Sequence, residues 1–444
     1  MMLRVDGCID AAGRAMVLPS LWESLVKLFV GATLGRAEIV NVDTRNPCIR
    51  SSTYLLTRLG FRVEALSPTK LYVEKTEEPG TPLRLSYDFV CGFLDAYLAL
   101  PFFAINAPPG SQLIARAINN EYLMSVDTRP IREVLAALGA RVWSAGTASK
   151  FLVVETSTAT RRIAFVRLTH AMGSVVGGLA VALASSRAPS TVLLGTYRQE
   201  ARRRLQVVID TLRQAGYNVQ ESARMLQISS MHEDTEQKKT AMLSVGGGIS
   251  ETLTLLILVR QCNPTEILID NLSSFTRNDD VELFKYLLSI MGYEYEQESS
   301  RLVLHASKPA SVTYSASEEP LLAVPLVLHS LVAGGVVSDI RSTISDGVLS
   351  RFIEKIVREL GGEAYLEDED RFRVISPISG MSRHSYSCRG IDPVTCLALL
   401  VAALRSNKRI ILEDARSVLA LIPLGLQVLQ ELGVNIVVEK TSRD

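Results

Sequence analysis

Residues 117–142 read AINNEYLMSVDTRPIREVLAALGARV. Residues 125–129 have the composition of a turn at a strand edge, opening into a helix. Asp127 or Thr128 is the expected N-cap, and Pro130 falls in the first turn, where its missing N–H costs nothing. Ile131, Val134, Leu135 and Leu138 then recur at helical spacing, and Gly139 suits a left-handed cap. The same ending returns along the chain at Gly60, Gly139, Gly216, Gly292, Gly361 and Gly433, at intervals of 79, 77, 76, 69 and 72 residues. A near-constant period of this size means that one supersecondary unit is used six times.

Working outward, each period has four parts. A nearly all-apolar helix comes first, over residues 21–34, 90–103, 173–185, 250–261, 321–333 and 393–406. A helix that is apolar on every side is buried on every side. A short strand follows, over 37–42, 112–118, 191–195, 265–270, 335–340 and 409–413. Next is an amphipathic helix that closes at the repeat glycine. Last is a hairpin, over 62–74, 141–155, 217–229, 293–305 and 363–375, of which only 434–439 is left in the sixth unit. The hairpin strands alternate polar and apolar, so one face is wet. The sustained polar run SMHEDTEQKKT at 230–240 divides the units three and three. The domains expected are 16–235, and 1–15 with 236–444.

The chain has 444 residues, enough for two or three domains. Lys plus Arg and Asp plus Glu are 47 each, which argues against a nucleic-acid binder. Cys8, Cys48, Cys91, Cys262, Cys388 and Cys396 form no CxxC pair, and the reading is free thiols in a reducing cytoplasm. The five histidines have no metal-ligand spacing, so no metal or cofactor is expected; His305 and His329 lie in apolar runs and read as core. The N-terminus has no apolar signal core. The longest apolar run, 321–337, holds Pro325, His329 and a glycine pair, and reads as a buried helix plus strand rather than a membrane span.

Candidate chemistry lies where a strand runs into a helix, because free N–H groups and a positive dipole end suit anions. Val-Asp-Thr-Arg occurs at both 42–45 and 126–129. Arg198 follows the strand of unit three with Arg202, Arg203 and Arg204; Arg277, Arg341 and Arg416 do so in units four to six. These read either as cations gathered on a phosphorylated or carboxylate ligand or as exposed helix starts that tolerate charge. The glycine loop SVGGGIS at 244–250 suits close approach to an anion or a tight strand-to-helix turn, and lacks the lysine of a P-loop. Glu318 and Glu319, ahead of the fifth buried helix, supply either a general base or an acidic first turn.

Six such units, split three and three, resemble the enolpyruvyl transferase family, nearest to its 3-phosphoshikimate 1-carboxyvinyltransferase (5-enolpyruvylshikimate-3-phosphate synthase) branch. The local match is Asn120-Glu121-Tyr122-Leu123 followed by Arg129-Pro130-Ile131 and Leu135 to Gly139. The resemblance implies a two-domain inside-out α/β prism, with buried helices and outer sheets. It implies transfer of enolpyruvyl from phosphoenolpyruvate to a hydroxyl of a phosphorylated acceptor, as in the shikimate pathway of aromatic amino acid biosynthesis. Arg129 inherits the role of holding phosphoenolpyruvate. Arg14 stands in Gly13-Arg14-Ala15-Met16, where the family has a lysine loop, and His170 in Thr169-His170-Ala171, where it has Ser-Ser-Gln. Arg198 and Arg341 complete the expected substrate-binding set. Glu319 and Asp346 are the candidate acid–base residues, because the family's aspartate falls at Leu321 and its unit-five lysine near Ser345. The unit-six Asp-His-Arg falls at Asp392-Pro393-Val394. A monomer without cofactor, metal, nucleic acid or membrane partner is expected. The alternative is a non-catalytic paralogue that kept the fold and binds anions or acts as a scaffold. A third candidate with related repeats, RNA 3′-terminal phosphate cyclase, is set aside because the net charge is zero and no histidine lies in a suitable motif.

Overall fold

The computed structural model describes residues 1–8, 13–77, 79–89, 91, 94–117, 128–145, 151–157, 165–171, 173–186, 188–197, 202–222, 224–230, 240–275, 277–305, 307–317, 319–381, 383–406 and 408–439. The chain divides into two compact units, Trp22–Val245 and Met1–Leu21 with Gly246–Asp444.

In the unit Trp22–Val245 six helices alternate in character: α1 (Leu21–Thr33, its first residue lying just before the division), α2 (Pro47–Arg58), α3 (Leu94–Asn106), α4 (Arg129–Ala137), α5 (Gly173–Ser185) and α6 (Arg202–Gln214). The odd-numbered helices are the apolar ones. In α3 every side chain from Leu94 to Ile105 is buried, and in α5 every residue from Gly173 to Ala184. The even-numbered helices bury one face, such as Pro130, Ile131, Val134 and Leu135 of α4. Helices α3 and α5 touch at backbone distance, since a Cβ on Gly178 would meet the Tyr97 carbonyl oxygen at 1.7 Å. Glycine is required there by contact.

In the other unit the helices are α7 (Ile249–Arg260), α8 (Asn278–Ile290), α9 (Ala323–Ala333), α10 (Arg341–Ser345), α11 (Phe352–Glu359), α12 (Pro393–Arg405), α13 (Arg416–Ala420) and α14 (Gly425–Glu431). Here α7, α9 and α12 are the buried three.

Among the described residues the strands form six four-stranded sheets, three in each unit. Every sheet has one plan. In the second repeat, Arg84–Phe89 runs parallel to Gln112–Ala117, which pairs antiparallel with Phe151–Glu155, itself paired with Arg141–Ala145. The parallel edge strand ahead of the buried helix is absent from the four-part sequence reading. It is short, and it abuts an apolar run that hides its period.

Two of these edge strands fix the boundaries between units. Ala241–Ser244 runs parallel to Arg36–Val40, and Gly13–Met16 runs parallel to Glu266–Asp270. The division therefore falls after Leu21 and after Val245, whereas the sequence reading put it after 15 and after 235. The sixth repeat lacks a complete hairpin because the N-terminus supplies the missing strand. Met2–Cys8 lies antiparallel between Ile410–Glu413 and Val434–Glu439.

The six repeat glycines all have left-handed backbones, with φ of 87° at Gly60, 77° at Gly139, 87° at Gly216, 77° at Gly292, 77° at Gly361 and 84° at Gly433. Each ends an amphipathic helix where a residue with a Cβ is strained.

The expectation of six free thiols is corrected. Cys8 is bonded to Cys262 and Cys48 to Cys91, with Cα separations of 5.6 and 6.0 Å. Cys388 and Cys396 are free and buried. Sequence separations of 254 and 43 residues carry no pairing signal; the repeat packing brings the pairs together. The cysteine argument for a reducing compartment falls with them. No helix among the described residues is long and apolar enough to cross a membrane.

Candidate functional site

Arg129 is the first residue of α4 and is exposed, with Thr128 at the N-cap position and Pro130 next in the helix. Thr128 makes no capping bond to the helix backbone. Its hydroxyl accepts from Arg132 Nε at 3.1 Å, and Arg132 also donates to Ser144 Oγ. The start of α4 thus carries two guanidiniums at the positive end of the helix dipole, which suits an anion. Asp127 and residues 120–123 lie outside the described residues.

The first Val-Asp-Thr-Arg is built differently. Asp43 accepts from Arg45 N at 3.0 Å, and Asn46 caps α2 by accepting from Cys48 N at 2.9 Å. Arg45 therefore stands outside its helix, while Arg129 begins one. The same four residues give two geometries because Asn46-Pro47 moves the start of α2 two residues on.

Arg198 lies outside the described residues. His170 is placed by its backbone, paired with Thr196 in the parallel register, and its side chain is outside the described ones. Arg204, third in its arginine run, is buried; Nη1 donates to Ser174 Oγ at 2.9 Å and its carbonyl accepts from Trp22 Nε1 at 3.0 Å. It ties α6 to the starts of α5 and α1.

Three buried charged side chains stand in the apolar helices of this unit. Lys27 and Glu23 of α1 form an ion pair at 2.5 Å, with side chains 4% and 9% exposed, and Lys27 also donates to the Ser244 carbonyl. Asp95, in the first turn of α3, accepts from Tyr87 Oη at 3.0 Å. Burial, with the Asp95 charge beside it, pushes the Tyr87 phenol well above its usual value. Sequence reading did not single out Lys27, Glu23 or Asp95. Their presence within runs otherwise wholly apolar is the available signal, because a buried charge requires a partner.

In the second unit, Arg14 is exposed on the strand Gly13–Met16, opposite Leu268. Arg341 is exposed at the first residue of α10, and its N–H donates to Asp370 Oδ1 at 3.3 Å. Glu319 caps the 3-10 turn Pro320–Leu322 by accepting from Leu321 N at 3.2 Å. Asp346 is fully buried at the C-cap of α10. Glu318 lies outside the described residues. Neither candidate acid–base group stands open to solvent: one is half-buried and serves as a cap, and the other is inside.

Asp392 is buried at the N-cap of α12. It accepts from Thr395 N at 2.9 Å, Thr395 Oγ1 at 2.7 Å and Ser350 Oγ at 2.6 Å. Burial pushes its carboxyl up to about 6 against these bonds, which pull it down. The glycine loop resolves in favour of a turn. Gly247 N donates to the Ser274 carbonyl and Gly248 N to the Leu18 carbonyl, so these amides serve the fold. Their side-chain space is filled by Val17 and Glu251, and Glu251 Oε1 accepts from Leu21 N at 2.7 Å. Among the described residues no cluster of His, Cys, Asp and Glu has metal-binding geometry.

No family model matches the chain, and no curated protein matches it. Solved structures do. The enolpyruvyl transferase NikO from Streptomyces tendae is 12% identical, with 98% of each chain covered and a TM-score of 0.65. EPSP synthase from Acinetobacter baumannii is 13% identical, with 99% of this chain and 100% of that one covered and a TM-score of 0.64. A second structure of EPSP synthase from that organism gives 12% and 0.61 over the same coverage. The chain therefore has the fold of these enzymes along its whole length, a two-domain α/β prism of six repeated units.

Proposed function

We propose, on the premise of this shared fold, that the protein is a divergent enolpyruvyl transferase-type protein. It binds phosphoenolpyruvate together with a phosphorylated hydroxyl acceptor of the 3-phosphoshikimate class. The observation that carries this reading is Arg129, an exposed cation at the first residue of α4, in the one stretch that also carries the family-like motif. Helix dipole, backbone N–H groups and guanidinium act there on one anionic group. Arg14, Arg198, His170 and Arg341 are proposed as further substrate contacts.

Enolpyruvyl transfer needs a cation on the phosphate, a proton donor to the methylene carbon and a base for the acceptor hydroxyl. Arg129 suits the first role. For the other two, Glu319 already accepts an N–H and Asp346 is enclosed. These two observations favour the second reading, a paralogue that binds the anions and turns them over slowly or not at all. Loss of one preorganised group commonly costs about 10²–10³ in rate.

Calorimetric titration of the whole protein with phosphoenolpyruvate and shikimate 3-phosphate, separately and together, tests binding. Phosphate release under the same conditions tests turnover. Binding without release at an ordinary enzymatic rate, about 1–10³ per second, is the expected result. Failure of both ligands to bind would remove the transferase-type reading.

A further inference from the structure

In the unit holding α7, α9 and α12, a cavity of about 410 Å³ opens at the C-terminal ends of the buried helices α7 and α12. None of the candidate substrate or acid–base residues discussed above lines it. Arg260, last residue of α7, and Arg405, last residue of α12, both line it. Two cations on one cavity ordinarily require a counter-charge, yet among the described residues neither forms an ion pair.

The two arginines differ. Arg260 serves the fold: its guanidinium donates to the carbonyls of Met291, Gly292 and Ser307 at 3.2, 3.2 and 2.7 Å and lies 4.1 Å over the Tyr293 ring. Arg405 makes one long bond, from Nη1 to Gln261 Oε1 at 3.4 Å. Burial without a carboxylate lowers its guanidinium from the usual value. One more polar atom of the lining, His305 Nε2, is buried without a hydrogen bond, while Tyr293 Oη has Arg260 as its polar neighbour. Acidic side chains stand beside His305: Glu266 and Glu294 are its partners across the neighbouring strands, and Glu296 lies 3.8 Å from Nε2. Buried polar atoms in native structures are rarely left unsatisfied, so His305 Nε2 and the spare donors of Arg405 point to a missing partner. The remaining wall is apolar, with Pro264, Ile267, Leu304, Pro309 and Val332.

We propose that this cavity binds a small organic carboxylate, its anionic end on Arg405 with Tyr293 Oη and His305 Nε2 as neighbours and its apolar body against Leu304, Pro309 and Val332. The volume falls within the range of small-molecule sites and exceeds what an inorganic anion fills. A guanidinium matches a carboxylate in two parallel hydrogen bonds, which Arg405 has free donors to make. The site is independent of the reading proposed for Arg129.

The test uses the full-length protein, with benzoate as probe, benzamide as its uncharged counterpart and inorganic phosphate as an anion without an apolar body. Calorimetry is run with and without saturating phosphoenolpyruvate. Benzoate is expected to bind one per chain, with or without phosphoenolpyruvate, and at least about tenfold more tightly than benzamide or phosphate. Arg405→Gln is expected to weaken benzoate about tenfold or more and to leave phosphoenolpyruvate binding unchanged. His305→Gln serves as a second variant if Arg405→Gln does not fold, and is expected to weaken benzoate as well. No benzoate binding, displacement by phosphoenolpyruvate, phosphate binding as tightly as benzoate, or full benzoate affinity in the substituted proteins would each overturn the proposal.

Discussion

At Arg129 the guanidinium leaves the first residue of α4, whereas at Arg204 it is enclosed between α6 and α5. Both belong to strand-to-helix arginines, and only their depth separates the proposed ligand contact from a structural brace. Arg129→Ala is therefore expected to weaken phosphoenolpyruvate by roughly 10- to 150-fold, the worth of a charge-assisted contact of about 1.5–3 kcal/mol. Titration of the variant checks this, and an unchanged affinity would exclude Arg129 from the site. His329 carries a residue-scale pH effect. It is buried, with Nε2 2.7 Å from the Ala310 carbonyl, and desolvation lowers it from 6.5 to about 4. The unfolded chain takes up this proton near pH 6.5 while the folded one resists until about 4. Stability is thus lost as pH falls through that window, by up to about 3 kcal/mol. Urea unfolding of the protein and of His329→Gln, at neutral pH and just above pH 4, should show a larger acid loss in the unsubstituted chain.

The repeat was readable at the scale of the element. Glycines at a near-constant interval marked helix ends, and each has the left-handed backbone that such an end demands. Gly139→Ala is expected to cost about 1 kcal/mol through strain in its left-handed backbone, measurable as a shift in the denaturation midpoint. Gly178→Ala should cost more, about 1–3 kcal/mol or beyond, because the new methyl meets the Tyr97 carbonyl of a neighbouring helix. Equal losses at the two positions would mean that α3 and α5 part easily. The edge strands ahead of the buried helices, three to seven residues long, escaped sequence reading because so few residues of alternation beside a long apolar run leave little period to detect. The roles of Glu319 and Asp346 also emerged only here: a cap and a buried helix end are defined by where the helix stops.

For the whole molecule, the N-terminal strand and the disulfides are the long-range closures. Met2–Cys8 sits between two strands that begin more than four hundred residues later in the chain. Deleting residues 1–8 should expose both and destabilise the unit that holds them, seen as early loss of its transition in calorimetry. Cys8–Cys262 closes that unit over 254 residues, and Cys48–Cys91 ties α2 to the segment before α3. Intact mass after alkylation under denaturing, non-reducing conditions should show two thiols labelled, Cys388 and Cys396. Reduction should then lower the melting temperature, since each bond typically contributes about 2–4 kcal/mol. Six labelled thiols would refute the pairing.

The sequence by itself determined the repeat, the helices that must be buried and the helix ends, because each follows from local periodicity and from glycine's backbone freedom; the fold was implied by the family those repeats resemble. Depth and partnership were decided by the tertiary structure. Which arginine is exposed, which carboxylate is enclosed, which cysteines meet and which strand completes the sixth sheet all depend on residues far apart in the chain. No local pattern encodes such pairs, since their contact arises only when the repeats pack around their buried helices.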